Sequence, residues 1–452
     1  MKNTYIKTFK HSITAIAVVS ALTMGAASAD DLVGKVNVSN IDGYTVKAVN
    51  SATGTTRTVD LKADGSYRLA KMPSGTYKIT VTKGNTVYAE SQARSVLGSN
   101  TVTNFEVADA SNTEIIEIVG SSVETVDVTS SDSGLTIGMV EVNNMPIARN
   151  LTSVALLAPG AVKGTTAFGN VVSFGGSSVA ENVCYINGME VTNTRNGLGC
   201  GELPFEFYKE FQVKTGGYSA KYGRATGGQV NATARSGTNE WEFGATATIT
   251  PDSWRSEKEQ FSRANGGTGG IYVDDRLNEQ DSKEINLSVG GPIIEDTLFF
   301  YAIVNPKDNT RSYTFAPTFW NDYVPNTQYR EREGQDDVFW GATIDWDISD
   351  NHRLSYFGYS NKSESIETIY AYDSDLGSDG ITTELGKNVR NRGGETHSIS
   401  YTGYITDDFI ITAMAGQIEA DYETSPTETI CPTIVDGRAN PAVAAVSCGQ
   451  GG

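Results

Sequence analysis

The sequence predicts a mainly β chain, with a small antiparallel sandwich in front and the start of a transmembrane β-barrel behind. Three observations predict it. Gly (47) and Tyr (21) are abundant among 452 residues, and helix-favouring runs are scarce. No stretch after the N-terminus reaches the roughly 18 apolar residues a membrane helix needs. Beyond residue 240, period-two alternation recurs between connections that are by turns long and short.

The formal charge of −19 argues against nucleic acid, because phosphate binding needs clustered Lys and Arg. It suits solvated loop surface, with Ca²⁺ at outer loops as candidate company and no cofactor signature. Residues 1–29 read as a secretory signal peptide. Lys2, Lys7 and Lys10 form a positive start, Ile13 to Ala27 is mostly small and apolar, and Ala27-Ser28-Ala29 is a cleavage site. Export places the four Cys in an oxidising space. Four Cys allow three connectivities. The local one, Cys184 with Cys200 and Cys431 with Cys448, is preferred because each pair brackets a Gly- or Pro-containing loop. Closing loops of this size is worth about 3 kcal/mol in the chain-entropy model. Metal ligation is the rival; it lacks C-x-x-C spacing, and the mature chain keeps only His352 and His397.

Residues 30–110 read as short strands between turns. Val46 to Val49, Thr56 to Leu61, Tyr67 to Leu69 and Tyr77 to Val81 are separated by Gly54, Asp64-Gly65 and Pro73-Ser74-Gly75. The run NSATGTTRTVDLKADGSYRLAKMPSGTYKITVTKGN resembles the carboxypeptidase regulatory-like module, a transthyretin-type sandwich, with Tyr67 and Tyr77 expected in its core.

Residues 111–134 form a polar linker with one apolar island. That island, Glu114, Ile115, Ile116, Glu117, Ile118, Val119 and Gly120, is fit to add a strand to another protein's sheet or to finish the sandwich. Its place ahead of the next domain resembles the TonB box of outer-membrane receptors. Residues 135–239 begin with a short helix, Leu151, Val154 and Leu157 at helical spacing, stopped by Pro159-Gly160. An Asn187-Gly188 hairpin follows, then Gly216-Gly217-Tyr218, Tyr222-Gly223-Arg224 and Gly227-Gly228 ahead of Arg235. These motifs resemble the plug domain of Oar-like TonB-dependent receptors. That family usually has Asp where this chain has Asn187, and both suit the turn.

Residues 240–452 carry about seven strands. Phe243, Ala245, Ala247 and Ile249 form one apolar row; Val338, Trp340, Ala342, Ile344, Trp346 and Ile348 form another, opposite Thr343, Asp345 and Asp347. Polar loops are expected at 251–283, 306–336 and 361–395, and tight turns near 293–296, 349–351 and 406–408. The resemblance implies a 22-stranded barrel, so the chain reads as its front portion.

The resemblance further implies energy-coupled uptake of an unidentified extracellular ligand at the outer membrane of a Gram-negative bacterium, with TonB, ExbB and ExbD as partners and lipid around the barrel. Protein export or surface adhesion is the alternative role of the Oar-like branch. No catalytic motif points to an enzyme. Arg224 and Arg235 are expected to pair with the lumen carboxylates Asp345 and Asp347.

Overall fold

A computed structural model describes residues 31–427, apart from 39, 98–99, 108–115, 118–132, 166–167, 169–170, 202, 219–222, 224, 257–259, 263–270, 316–317, 320–321, 324–327, 335–337 and 408. The proposed signal peptide lies outside the described residues.

Alternating side chains build the front sandwich. In Tyr44–Asn50 the residues Tyr44, Val46 and Ala48 turn inward, and in Gly75–Lys83 so do Tyr77, Ile79 and Val81. One sheet runs Thr56–Asp60, Tyr44–Asn50, Gly75–Lys83, Thr86–Ser95. The facing sheet centres on Leu32–Asn37, paired with Ser66–Leu69, Thr101–Val102 and Phe105–Glu106. Tyr67 and Tyr77 are buried in the shared core. Neither hydroxyl is stranded there: Tyr67 donates to the Thr103 carbonyl at 2.7 Å and Tyr77 to that of Pro73 at 2.8 Å. Of the apolar island, Ile116–Glu117 is described. It lies parallel to Ala89–Glu90 as an added edge of the first sheet.

The plug is a five-stranded sheet in the order Ser133–Gly138, Tyr208–Gly216, Gln229–Ala234, Val183–Ile186, Met189–Glu190. Among the described residues it carries two short helices, Met139–Asn143 and Leu151–Ala155, the second capped by the Asn150 side chain, which accepts from the Ser153 amide at 2.9 Å.

Behind it an open sheet of eleven strand segments reads as seven continuous strands. Leu298–Phe315 pairs low down with Val338–Ser349 and higher up with Gln328–Gly334, so those two segments follow one another along the same neighbour and count as one strand. The same holds for His352–Ser360 with Ser363–Tyr372, Ile381–Arg392 with Gly394–Tyr404, and Ile410–Ala420 with Glu423–Pro426. Among the described residues the first strand, Glu242–Thr250, does not pair with the last, so the barrel is an arc rather than a closed ring.

Two of the expected long loops are largely strand. Leu298–Phe315 runs ten residues into the span 306–336, and Ser363–Tyr372 and Ile381–Arg392 occupy most of 361–395. The reason is physical. Above the lipid both faces of a strand can be polar, so Thr, Tyr and Arg alternate with Glu and Asn and the hydrophobic period disappears while the hydrogen-bond ladder continues.

Pairing register fixes the faces. Phe243, Ile249, Leu287, Trp340, Ile344 and Trp346 point outward and are exposed, with Phe243 78% accessible, as a lipid-facing row requires. Phe339, Tyr301 and Phe357 point inward and receive Phe207 of the plug, with ring centroids 5.8, 6.2 and 5.9 Å away. Gly341 makes room for it; a Cβ there would sit 2.7 Å from the Phe207 ring. Replacing Phe207 with Ala should remove this anchor and destabilise the plug–wall unit by about 3–5 kcal/mol. Urea unfolding followed by Trp fluorescence measures it, and a loss under about 1 kcal/mol would contradict the packing assigned here.

Candidate functional site

The lumen side of the arc brings three modules together. Asp345 and Asp347 point inward from Val338–Ser349, two residues apart on one face. Their cation is Arg353 on the next strand, 2.9 Å from Asp345 and 3.5 Å from Asp347. Asp345 also accepts from Ser355 at 2.6 Å and from Ser236 of the plug. Asp347 accepts from Thr55 of the sandwich at 2.7 Å. One buried ion cluster thus joins wall, plug and sandwich.

The expected partner Arg235 is not in that cluster. Its carbonyl accepts from Thr343 at 2.7 Å and its amide donates to the Phe207 carbonyl at 2.8 Å, while its side chain lies beside Tyr301. The side chain shares a cavity with Gly244, Thr246, Asn286 and Ser288, on strands other than the one that carries the two carboxylates. Arg224 lies outside the described residues. Arg353, Ser236 and Thr55 were missed by sequence reasoning, although one signal was present. The turn at 349–351 sets Asp347 opposite Arg353, as the register confirms.

The other plug motifs serve its own architecture. Asn187 and Gly188 adopt positive φ of 49° and 82°, as a two-residue hairpin turn demands, and the Asn187 side chain accepts from the Ala234 amide at 2.8 Å. Gly216 ends a strand and Gly217 turns the chain away with φ of 73°. The Tyr218 hydroxyl lies in donor range of the carbonyls of Ala225 at 3.2 Å and Gly227 at 3.1 Å, closing the loop that carries Gly223, and the Gly228 amide just beyond it donates to the Asn182 side chain at 2.9 Å. Tyr222 lies outside the described residues. Cys184 and Cys200 form a disulfide with Cα atoms 5.6 Å apart, at the base of a loop that reaches the wall. Cys431 and Cys448 are outside the described residues, as are Glu114, Ile115, Ile118, Val119 and Gly120. Among the described residues no group of His, Cys, Asp and Glu is arranged to hold a metal ion.

Higher up, beyond the lipid-facing row, Glu367 points inward and is buried. Arg332 reaches it at 2.7 Å, Arg390 at 3.2 Å and Arg330 at 3.5 Å, and the Tyr313 hydroxyl donates to it at 2.7 Å. Burial works against its charge, but hydrogen bonds from Arg332 and Tyr313 and the charges of Arg332 and Arg390 win. The carboxyl is held below its ordinary range.

The sandwich docks on the rim of tight turns. Arg57 bonds Asn351, pairs with Asp407 at 3.3 Å and lies 4.4 Å from the Tyr404 ring centroid. The Tyr404 hydroxyl donates to the Lys71 carbonyl at 2.7 Å, and the Asn239 amide to that of Ala52 at 2.9 Å.

No family model matches the chain. It is 30% identical over 268 residues to the TonB-dependent transporter Oar of Myxococcus xanthus, a match covering 57% of this chain and 24% of that protein. The resemblance drawn from the plug motifs is thus seen in sequence alignment as well. Among solved structures, the ferric enterobactin receptor PfeA of Pseudomonas aeruginosa, as a mutant bound to enterobactin, aligns with a TM-score of 0.41 at 12% identity, covering 65% of this chain and 42% of that one. The outer membrane transporter YddB of Escherichia coli aligns with a TM-score of 0.38 at 14% identity, covering 65% and 44%. The chain spans about a quarter of the curated relative it matches and about two-fifths of these solved chains.

Two outcomes follow from the ion clusters. Arg353→Met leaves Asp345 and Asp347 facing each other without a cation and should cost about 3–5 kcal/mol in urea unfolding, with partial recovery on adding Asp345→Asn and Asp347→Asn. Unaltered stability in the single variant would mean the cluster is not a bond between modules. For Glu367, a lowered folded pKa means its stabilisation is complete above the unfolded value, about 4.3. That stabilisation is lost as pH falls through the lower folded value. Hydrogen exchange at 363–392 should therefore accelerate below about pH 4, and Glu367→Gln should flatten that dependence. A profile identical in wild type and variant would refute it.

Proposed function

We propose that this chain forms the sandwich, plug and first wall strands of a TonB-dependent transporter of the Gram-negative outer membrane, reached by signal-directed export. The observation that supports it most is the plug sheet seated against the inner face of a lipid-facing barrel arc. A domain that fills a lumen stops free diffusion, so passage needs work from elsewhere, and an outer membrane has no ion gradient of its own to supply it. In this reading the work comes through TonB, energised by ExbB and ExbD, and enters at Glu114–Gly120. The transporter Oar, similar over 268 residues, carries the same function in its name.

A strand-adding peptide is recognised by its backbone, so the mechanism is specific about what breaks it. The pairing of Ile116–Glu117 with the sandwich edge leaves this segment already extended. TonB would exchange one sheet edge for another, at the cost of a two-residue ladder. The test follows. Ile116→Pro removes a ladder donor and should weaken capture of the TonB periplasmic domain about tenfold or more in a titration with the purified protein. Unchanged capture would overturn the assignment. In cells, the same substitution should stop ligand uptake; if it stops secretion of a partner protein instead, cargo moves outward.

A further inference from the structure

Glu367 accounts for Arg330, Arg332 and Arg390, but further arginines share its face. The uninterrupted alternation of Leu298–Phe315 that points Tyr301 at the plug also points Arg311 and Tyr313 inward higher up, and Arg311 lies directly across from Arg332. Arg392 continues the row of Arg390. Its guanidinium bonds the Glu423 carbonyl, the Asn391 carbonyl at 2.7 Å and the Thr424 hydroxyl at 2.8 Å, and no carboxylate among the described residues pairs with it.

The plug contributes one more. Its apical loop 193–200 is braced by the Cys184–Cys200 disulfide, by the bridge Thr192↔Cys200 and by the Asn193 amide donating to Gly199 at 3.1 Å. Asn193 also donates to the Tyr422 hydroxyl at 3.0 Å, tying this loop to the wall. Arg195, at the exposed tip, lies 5.3 Å from the Tyr422 ring centroid, and Arg392 lies 5.9 Å from the same ring. Two cations sharing one aromatic ring repel each other. Burial and the charges of Arg390, Arg195 and Arg332 all depress the pKa of Arg392.

A chain of net charge −19 gathers Arg195, Arg311, Arg332, Arg390 and Arg392 above its plug, and among the described residues Glu367 is the one carboxylate that pairs with any of these five. Holding strands together needs no such surplus. The geometry points to an oxyanion-binding site between the plug tip and the inner wall, centred on Arg195, Arg392 and Tyr422, for a small ligand bearing two or more carboxylates or phosphates. Planar guanidinium forks match either group, and two cations of one sign set close together attract an anion that carries more than one charge. The inference rests on the transport reading above for its role, since the site stands at the mouth the ligand would enter.

The probes are citrate for the carboxylate source and pyrophosphate for the phosphate source, titrated calorimetrically into the intact protein in detergent micelles. At about 20 mM salt at least one should bind, weakening as salt rises to about 300 mM. The pair Arg195→Gln and Arg392→Gln should weaken it about tenfold or more, while Lys283→Gln, on the strand's exposed outer reach, should change nothing. Heat-modifiable gel mobility reports folding; if the double variant fails it, Arg195→Gln alone decides, since that residue sits on an exposed loop. Failure of both probes to bind, or binding unaltered by the folded variant, overturns the site. Equilibrium binding needs no TonB. Loss of anion binding with TonB capture still sensitive to Ile116→Pro would remove this inference alone, and the reverse pattern would remove the transport reading alone.

Discussion

Sandwich, plug and wall strands are held in one arrangement by carboxylates that cannot be left alone. Asp345 and Asp347 stand on the inner wall where water is displaced by the plug, and each must find donors or lose its charge. Arg353 supplies the counter-charge, while Ser236 and Thr55 supply hydrogen bonds from the plug and from the sandwich. Replacing such a cluster by apolar side chains can be neutral for stability. Its effect here is specificity. The observed placement gives Asp345 a donor from the plug and Asp347 a donor from the sandwich, and a slip of the aromatic contact around Phe207 would break these bonds.

The docking of the sandwich follows from the same geometry. Tight turns at 349–351 and 405–407 leave a low rim, and Arg57 can reach Asn351, Asp407 and the Tyr404 ring from one position. Strands that rose well past the membrane on this side would have held the sandwich away. They rise on the opposite side instead, where the segments 363–372 and 381–392 form a wall above the plug. The asymmetry of long and short connections therefore sorts the binding face from the docking face.

The legible parts were those where chemistry repeats locally. Alternation in 338–348 made the lipid row legible because Ile344, Trp346 and Ile348 alternate with Thr343, Asp345 and Asp347. The Asn187-Gly188 hairpin was readable because few sequences tolerate two consecutive residues at positive φ. Beyond the lipid, the same strands lost their hydrophobic period and were read as loops. Partners of lumen charges were misread for another reason. Which face a residue takes is encoded in parity, but its height along the barrel is encoded in register, and register needs the turns to be counted. Counting through 349–351 would have put Arg353 opposite Asp347. No such count was available for Glu367, whose three arginines come from two neighbouring strands separated in sequence by stretches read as loops.

Net charge illustrates how an average misleads in a protein with an inside and an outside. A total of −19 argues against a nucleic-acid partner and suggests an acidic surface throughout. Yet the field a ligand meets is set by the groups within about a Debye length, roughly 8 Å at physiological ionic strength. At the plug tip these include Arg195 and Arg392, 5.3 and 5.9 Å from the Tyr422 ring centroid, with Arg390 and Arg332 near enough to act on Arg392. The acidic residues beside them, Glu331, Glu333 and Glu364, alternate to the other face of their strands. Alternation thus separates the two signs of charge across the thickness of one sheet. A strand that looks neutral when read along its length becomes positive within and negative without.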